Sequence, residues 1–287
     1  MATLLITGGS GFVGRNLVEV FSRRWSVMAT SYRSNARDAI ELDVREADAV
    51  ISTFKRAAPD VVIHAAGNKN VRFCEEHPDE AYQVNAIGTQ NVARACRQSG
   101  AQLIYLSTDL VFDGRRGQYR EDEQPQPASA YGISKLEGEK LARAELPEVA
   151  VCRSGGIYGN GSPLLRWLSD ELIAGRSVDC FVDVFNSPTY VENLAEMMEA
   201  IIDQRLSGTF HTAGRERVSR FEFFQTYART FGLNQELLKP VAASPLESEL
   251  LLQPDSSLSV AQTANKLGVV FNSVAEGFAR LQTAGGV

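Results

Sequence analysis

Eight residues near the start of this 287-residue chain, Thr7 to Gly14 (TGGSGFVG), restrict its fold more than any other feature. They stand between a β-branched apolar run, TLLIT from Thr3, and a segment in which Phe12, Leu17, Val20 and Phe21 recur at helical spacing. Gly8, Gly11 and Gly14 fall three apart in that turn. A glycine triplet alone marks no more than a tight turn. Between a strand and a helix it meets a specific need: a sharp reversal, close approach of backbone to a pyrophosphate, tight helix-to-strand packing, and a helix N-terminus facing an anion. Ser10, Phe12 and Val13 share the loop and are candidate contacts for a dinucleotide.

The rest of the first half repeats the alternation. WSVMATS from Trp25, AIELDV from Ala39, PDVVIHAAG from Pro59 and QLIYLST from Gln102 read as strands, separated by helical patterns from Asp48 and from Asp79. The second of these helices stops at Ser99-Gly100. A polar stretch from Asp113 to Ser129 reads as an active-site loop, and AYGISKLEGEKLARAEL as the helix after it. VAVCRSGGIYG then gives a strand running into a Gly-rich turn. Beyond residue 155 the pattern loosens into helices at PLLRWLSDELIAG, TYVENLAEMMEAIID and SRFEFFQTYARTFGL, a strand at GTFHTAG, and a mixed stretch from Leu251. The expected fold class is α/β, a doubly wound parallel sheet of about seven strands with a small α/β C-terminal lobe. Residues 1–155 form the dinucleotide domain, completed by a segment returning near 183–213, and 156–287 form the substrate lobe.

Composition narrows the partner. A content of 44% apolar residues supplies a sizeable core, and the formal net charge of −6 comes with no basic run longer than Arg23-Arg24 or Arg115-Arg116. Nucleic-acid binding is therefore not expected. Nowhere do about 18 apolar residues run together, and the opening has no basic n-region, so neither membrane insertion nor export is expected and the protein reads as cytoplasmic. Cys74, Cys96, Cys152 and Cys180 form no CxxC pair and suit buried thiols. His64, His77 and His211 have no metal-ligand spacing, and no metal is expected. The partner is a small molecule; a homodimer is compatible with the chain.

The end of the second strand bears on coenzyme choice. A carboxylate there would favour the free ribose hydroxyl of NAD, whereas this chain has Ser31-Tyr32-Arg33, and a guanidinium suits a 2′-phosphate. NADP(H) is expected in preference to NAD(H). Asp43-Val44 closes the third strand, where the carboxylate either accepts a bond from the adenine amino group or is an ordinary strand-end Asp. Tyr131 and Lys135, four apart, share one face of a helix. A phenol is a poor acid-base catalyst at neutral pH, and a nearby ammonium stabilises its phenolate. Tyr131 could then protonate a carbonyl oxygen as hydride reaches its carbon. Ser107-Thr108, at the end of the preceding strand, supplies a third hydroxyl.

TGGSGFVG, HAAGN (His64 to Asn68), NAIGTQNV (Asn85 to Val92), STDLVFDG (Ser107 to Gly114) and YGISK together resemble the extended short-chain dehydrogenase/reductase superfamily, with its Rossmann-type sheet. SPTYVENLA from Ser187, GTFHTAG from Gly208 and QPDSSLS from Gln253 are similar to its dTDP-4-dehydrorhamnose reductase branch, whose members reduce 4-keto sugar nucleotides. The resemblance implies that Tyr131 is the acid, that Lys135 binds the nicotinamide ribose and tunes Tyr131, and that Thr108 hydrogen-bonds the reacting carbonyl. It further implies that Ala65, Ala66 and Gly67 line the coenzyme path, that Asn85 supports the catalytic helix, and that Asp109, Pro188 and Thr189 border the sugar nucleotide.

Two departures narrow the expectation. Dehydrating relatives follow the motif Thr with Asp-Glu, whereas this chain has Thr108-Asp109-Leu110, and a leucine cannot exchange a proton. Gly156 stands where rhamnose-forming relatives carry Trp, which removes an apolar wall for the sugar ring. The alternatives to a reductase are a nucleotide-sugar epimerase of the same superfamily and a non-catalytic NADP-binding regulatory subunit of the methionine adenosyltransferase type. Among other residues, His64 reads as a satisfied core histidine and Tyr158 and Trp167 as core aromatics. Arg153 reads equally as a phosphate partner or a cap on the sheet, and Glu121, Asp122 and Glu123 as a solvated loop face.

Overall fold

The computed structural model describes residues 2–32, 39–243 and 252–286. Six strands come first, all but β2 and β3 separated by described helices: β1 (Thr3–Thr7), β2 (Ser26–Ser31), β3 (Ala39–Glu41), β4 (Val61–His64), β5 (Gln102–Thr108) and β6 (Ala150–Ser154). A seventh strand, Gly208–His211, returns late in the chain and pairs in parallel with β6. The spatial order is seventh–β6–β5–β4–β1–β2–β3, parallel throughout. Strand order reverses between β1 and β4, so their carboxyl ends frame the crevice in which such sheets bind ligands.

Alternate side chains of each strand feed two cores. On one face Leu4, Ile6, Ile63, Ile104 and Cys152 meet α1 (Phe12–Phe21) through Leu17 and Phe21. On the other, Leu5, Val62, Leu103, Tyr105 and Val151 meet α2 (Ala47–Ala57) through Val50 and Phe54. Burial on both faces explains why these strands read as continuous apolar runs. Next along the chain come α3 (Val71–Glu76) and a continuous helical run made of α4 (Pro78–Tyr82), a wide π-type turn over Gln83–Ile87, and α5 (Gly88–Ser99). Then follows α6 (Ala130–Glu145), capped by Ser129, whose hydroxyl accepts from the Gly132 amide at 3.1 Å.

The rest of the chain builds a third core that is mostly aromatic. Tyr158, Phe223, Phe224, Tyr227 and Phe278 pack between α7 (Pro163–Ile173), α9 (Arg220–Thr230) and α11 (Val274–Thr283), while α8 (Val191–Asp203) and α10 (Ala261–Leu267) serve the sheet. Three two-stranded pairs stitch this region: Ile157–Tyr158 with Thr189–Tyr190, Phe185–Asn186 with Val218–Ser219, and Val178–Phe181 with Leu238–Val241. Helix α11 carries a capping box, Ser273 with Glu276, that was legible as Ser-x-x-Glu and was not read from the sequence. Among the described residues no helix is long and apolar enough to cross a membrane.

Candidate active site

The Gly-rich turn has the shape its sequence requires. Gly8 lies at φ +71°, and a Cβ there would come within 2.8 Å of the Ala66 backbone. A Cβ on Gly14 would lie 2.2 Å from the Gly8 carbonyl oxygen, so α1 starts directly against the turn. Gly11 caps α1 with no side-chain acceptor, which leaves the first amides of Phe12 and Val13 for an outside anion. Ser10 and Ser31 share a 2.8 Å hydrogen bond that ties the loop to the end of β2. A dinucleotide fits this donor set: uncapped amides, and a backbone cradle that a Cβ at Gly8 would fill.

The path continues along the end of β4. The Ala66 amide donates to Thr7 Oγ1 at 3.3 Å, and Ala65 and Ala66 are partly exposed beside the glycine turn. Asn85, fully buried in the π-type turn, accepts from the Asn68 amide at 2.8 Å and donates to the Asn68 carbonyl at 2.9 Å and to Ser134 Oγ on α6 at 3.0 Å. A Cβ on Gly67 would press on the Asn85 side chain at 2.9 Å. The extra residue in that turn thus clamps the loop after β4 to the helix carrying Tyr131. His64 is a core histidine: Nδ1 bonds Thr7 Oγ1 at 2.6 Å and Nε2 bonds Thr89 Oγ1 at 3.1 Å. Burial, aided by the charge of Lys135, brings its imidazole down to about 3.

At the ends of β2 and β3, Arg33 lies outside the described residues. Asp43 is engaged by Arg45, whose Nε reaches both carboxylate oxygens at 3.0 Å and whose Nη2 reaches Oδ2 at 2.6 Å. The guanidinium holds that carboxyl below its usual range. Asp43 thus forms an ion pair with Arg45, which also donates to the Tyr32 hydroxyl at 3.2 Å. Val44 is buried, and its carbonyl accepts from Asn91 at 3.0 Å.

The hydroxyl expected from the sequence ends β5, and the phenol and ammonium stand one turn apart on α6, which packs against that strand end. Burial pushes the Tyr131 phenol up, the neighbouring Thr108 hydroxyl opposes that shift, and the nearby Asp109 charge adds to it. Lys135 is buried, donates to the Leu106 carbonyl at 2.7 Å, and sits 4.2 Å from the Tyr105 ring centroid. Burial brings its ammonium down to about 7, while Glu139 opposes that shift. A protonated phenol beside an ammonium close to neutrality is equipped to give a proton and have it restored.

Behind this trio lie charged groups that sequence reasoning missed or misplaced. Glu139, one turn beyond Lys135, accepts from Ser107 Oγ at 2.6 Å and from Arg153 Nε and Nη2 at 3.0 and 2.7 Å. Two signals could have found it: its place on the Tyr131-Lys135 face of the helix, and an arginine inside the apolar strand VAVCRS, which a buried sheet accepts only with a partner. Arg153 is therefore the partner of a buried carboxylate, a role neither earlier reading gave it. Glu121 also corrects an expectation. It accepts from the Thr263 amide and hydroxyl at 3.2 and 2.6 Å, while Asp122 and Glu123 remain on the surface with Arg120 and Arg116. Asp109 accepts from Thr108 Oγ1 at 3.0 Å and from Ser256 Oγ at 2.7 Å, and burial raises its carboxyl to about 6.

The second-half residues pack against the turn that follows β6. Thr189 is buried, its amide donating to the Gly156 carbonyl at 3.1 Å and its hydroxyl to the Ser187 carbonyl at 3.2 Å. The Pro188 carbonyl lies so close to Gly214 that a Cβ there would meet it at 2.0 Å. Gly156 is exposed, and a Cβ on it would face the Asn186 amide at 2.9 Å. Tyr158 belongs to the aromatic core, while Trp167 is half-exposed on α7.

Comparison with known proteins fits this geometry. The family model described as RmlD substrate binding domain matches residues 1–284. The dTDP-4-dehydrorhamnose reductase of Mycobacterium tuberculosis is 33% identical over 270 residues, covering 91% of this chain and 86% of that protein. The methionine adenosyltransferase 2 subunit beta of Xenopus tropicalis is 32% identical over 257 residues, covering 84% and 76%. Among solved structures, dTDP-4-dehydrorhamnose reductase from Bacillus anthracis in complex with NADP is similar with a TM-score of 0.89 at 27% identity, over 99% of this chain and 100% of that one.

Proposed function

The chain belongs to the RmlD substrate binding domain family, and on that premise we propose that it is an NADP(H)-dependent reductase of a 4-keto sugar nucleotide. The observation that carries the reading is the set of Thr108 at the end of β5, Tyr131 and Lys135 one turn apart on α6 with Lys135 bonded to the β5 backbone, and an uncapped α1 N-terminus at Gly11 on the same sheet. When bound, the reduced nicotinamide supplies hydride to the ketone carbon. Tyr131 gives its phenolic hydrogen to the ketone oxygen, and the Lys135 ammonium stabilises the phenolate left behind. Thr108 holds the ketone oxygen in line with Tyr131. Asn85, through Ser134 and the loop at Asn68, fixes α6 against the coenzyme path. Pro188 and Thr189 border the nucleotide sugar, and Leu110, unable to exchange a proton, speaks against a dehydratase.

Loss of NADPH absorbance in proportion to a 4-keto-6-deoxyhexose nucleotide added is the expected result. An epimerase would regenerate its coenzyme and show no net loss, and a regulatory subunit would show no turnover; either outcome overturns the reading. Tyr131→Phe should lower kcat by roughly 10²–10⁴-fold while leaving NADPH binding nearly intact. Unchanged kcat would remove Tyr131 from the chemistry. Preference for the phosphorylated coenzyme rests on Arg33 and is measured as the ratio of kcat/KM for NADPH over NADH. A ratio below one would refute it.

A further inference from the structure

Thr108 has one hydroxyl hydrogen and two lone pairs to distribute among its neighbours. The Leu110 amide donates to its oxygen at 3.2 Å and so occupies one lone pair. With Asp109 ionised, the hydrogen goes to Oδ1 of that carboxylate at 3.0 Å. One lone pair is then left on Thr108, and the neighbouring Tyr131 hydroxyl can turn its hydrogen to it. In that arrangement both hydrogens intended for a ketone oxygen are spent inside the protein.

We propose that Asp109 is a positioning residue that arms Thr108: when protonated it donates its own hydrogen to the Thr108 oxygen, filling the second lone pair, and releases both the Thr108 and Tyr131 hydrogens toward the ketone. This rests on the reading of Thr108 and Tyr131 as the pair that holds the ketone. The rearranged network leaves nothing unpaired on the protein side. The carboxyl hydrogen sits on Oδ1, Oδ2 still accepts from Ser256 at 2.7 Å, and Leu110 keeps its bond to Thr108. The surroundings suit a carboxyl that changes state. It is 6% exposed, and among the described residues the groups that act on it are Thr108 from β5, Ser256 from the loop before α10, and the local backbone, with no cation among them. Tyr131 of α6 faces it across Thr108, and Cys74 of α3 faces Tyr131 in turn. Burial raises the carboxyl to about 6, inside the range where an enzyme works.

Two experiments decide it. The first is a carbon-13 NMR titration of aspartate-labelled protein saturated with NADP⁺, with Asp109 assigned through Asp109→Asn. The Asp109 signal should titrate near 6, and Thr108→Val should move it higher, because a donor to the ionised form is lost. Titration in the ordinary aspartate range, or a downward move in Thr108→Val, overturns the proposal. The second is the pH dependence of kcat for ketone reduction. Wild type should lose rate several-fold as pH rises through about 6, whereas Asp109→Asn should lack that limb. Its amide donates to Thr108 and accepts from Ser256 as the protonated acid does. A wild-type profile lacking the limb, or a limb that persists in Asp109→Asn, overturns the proposal. Ser256→Ala covers the case in which that variant fails to fold: removing a donor that favours the anion should move the limb to higher pH, and an unmoved limb counts against the proposal. If wild type reduces no ketone, the enzymatic reading fails, and the NMR titration still decides where the Thr108 hydrogen points.

Discussion

Two consecutive residues of β5 each send a hydroxyl to a buried carboxylate, and the two carboxylates are treated in opposite ways. Ser107 donates to Glu139, which is 2% exposed and gripped by two nitrogens of Arg153. Thr108 donates to Asp109, which is 6% exposed and, among the described residues, is acted on by hydroxyls and local amides. A guanidinium compensates the first carboxylate, whereas the second has no cation acting on it among the described residues and burial favours its protonated form. The difference separates two duties at one strand end. Glu139 lends a lasting negative field to Lys135, whose ammonium burial would otherwise weaken further. Asp109, without a cation, can change state where Thr108 and Tyr131 need a donor to be released.

The sharpest way to break this contrast is to take away the cation. Arg153→Met leaves Glu139 buried with Ser107 as its one remaining side-chain donor, and removing one member of a buried ion pair costs about 3–5 kcal/mol. Equilibrium unfolding in denaturant should register that loss. Pairing the change with Glu139→Gln should recover much of it, because the orphaned charge then disappears. A single-variant loss below about 1 kcal/mol would mean that water reaches Glu139 and that its charge is no more fixed than that of Asp109. One Arg153 nitrogen, Nη1, is itself buried without a partner, so the pair is not ideally satisfied even in the native protein.

How much of this contrast the sequence could reveal depends on chain separation. The parallel sheet was legible because strands buried on both faces read as apolar runs, and Gly8, Gly11 and Gly14 fall where a strand meets a helix. Thr108, Tyr131 and Lys135 were legible because two of them share a helix turn and the third ends a strand. The supporting charges were not. Glu139 and Arg153 are 14 residues apart on different elements, while Asp109 and Ser256 are 147 apart and Glu121 and Thr263 are 142 apart. No local period links such partners; only packing of the second half over the sheet brings them together. The charge run at Glu121 misled for the same reason, since one of its three members turns inward to Thr263 while its neighbours stay in water. Two of the three short strand pairs of the second half were unreadable because two-residue strands carry no period at all.

A smaller effect should sharpen the comparison from the other carboxylate. The Asp109 carboxyl is raised from 3.8 to about 6 in the folded chain, so between those values the native state holds a proton that the unfolded state has released. Stability therefore falls as pH rises through that window, and the cost is complete above about 6. Asp109→Asn cannot ionise and escapes the cost. Relative to wild type it should be nearly neutral near pH 4 and gain on the order of 2 kcal/mol by about pH 8, measured as the difference in unfolding free energy at the two pH values. Glu139→Gln should show the opposite sign at neutral pH, because there the charge is compensated and its removal strands Arg153. A stabilisation of Asp109→Asn that is the same at both pH values would show that the two carboxylates differ in packing and not in their freedom to take up a proton.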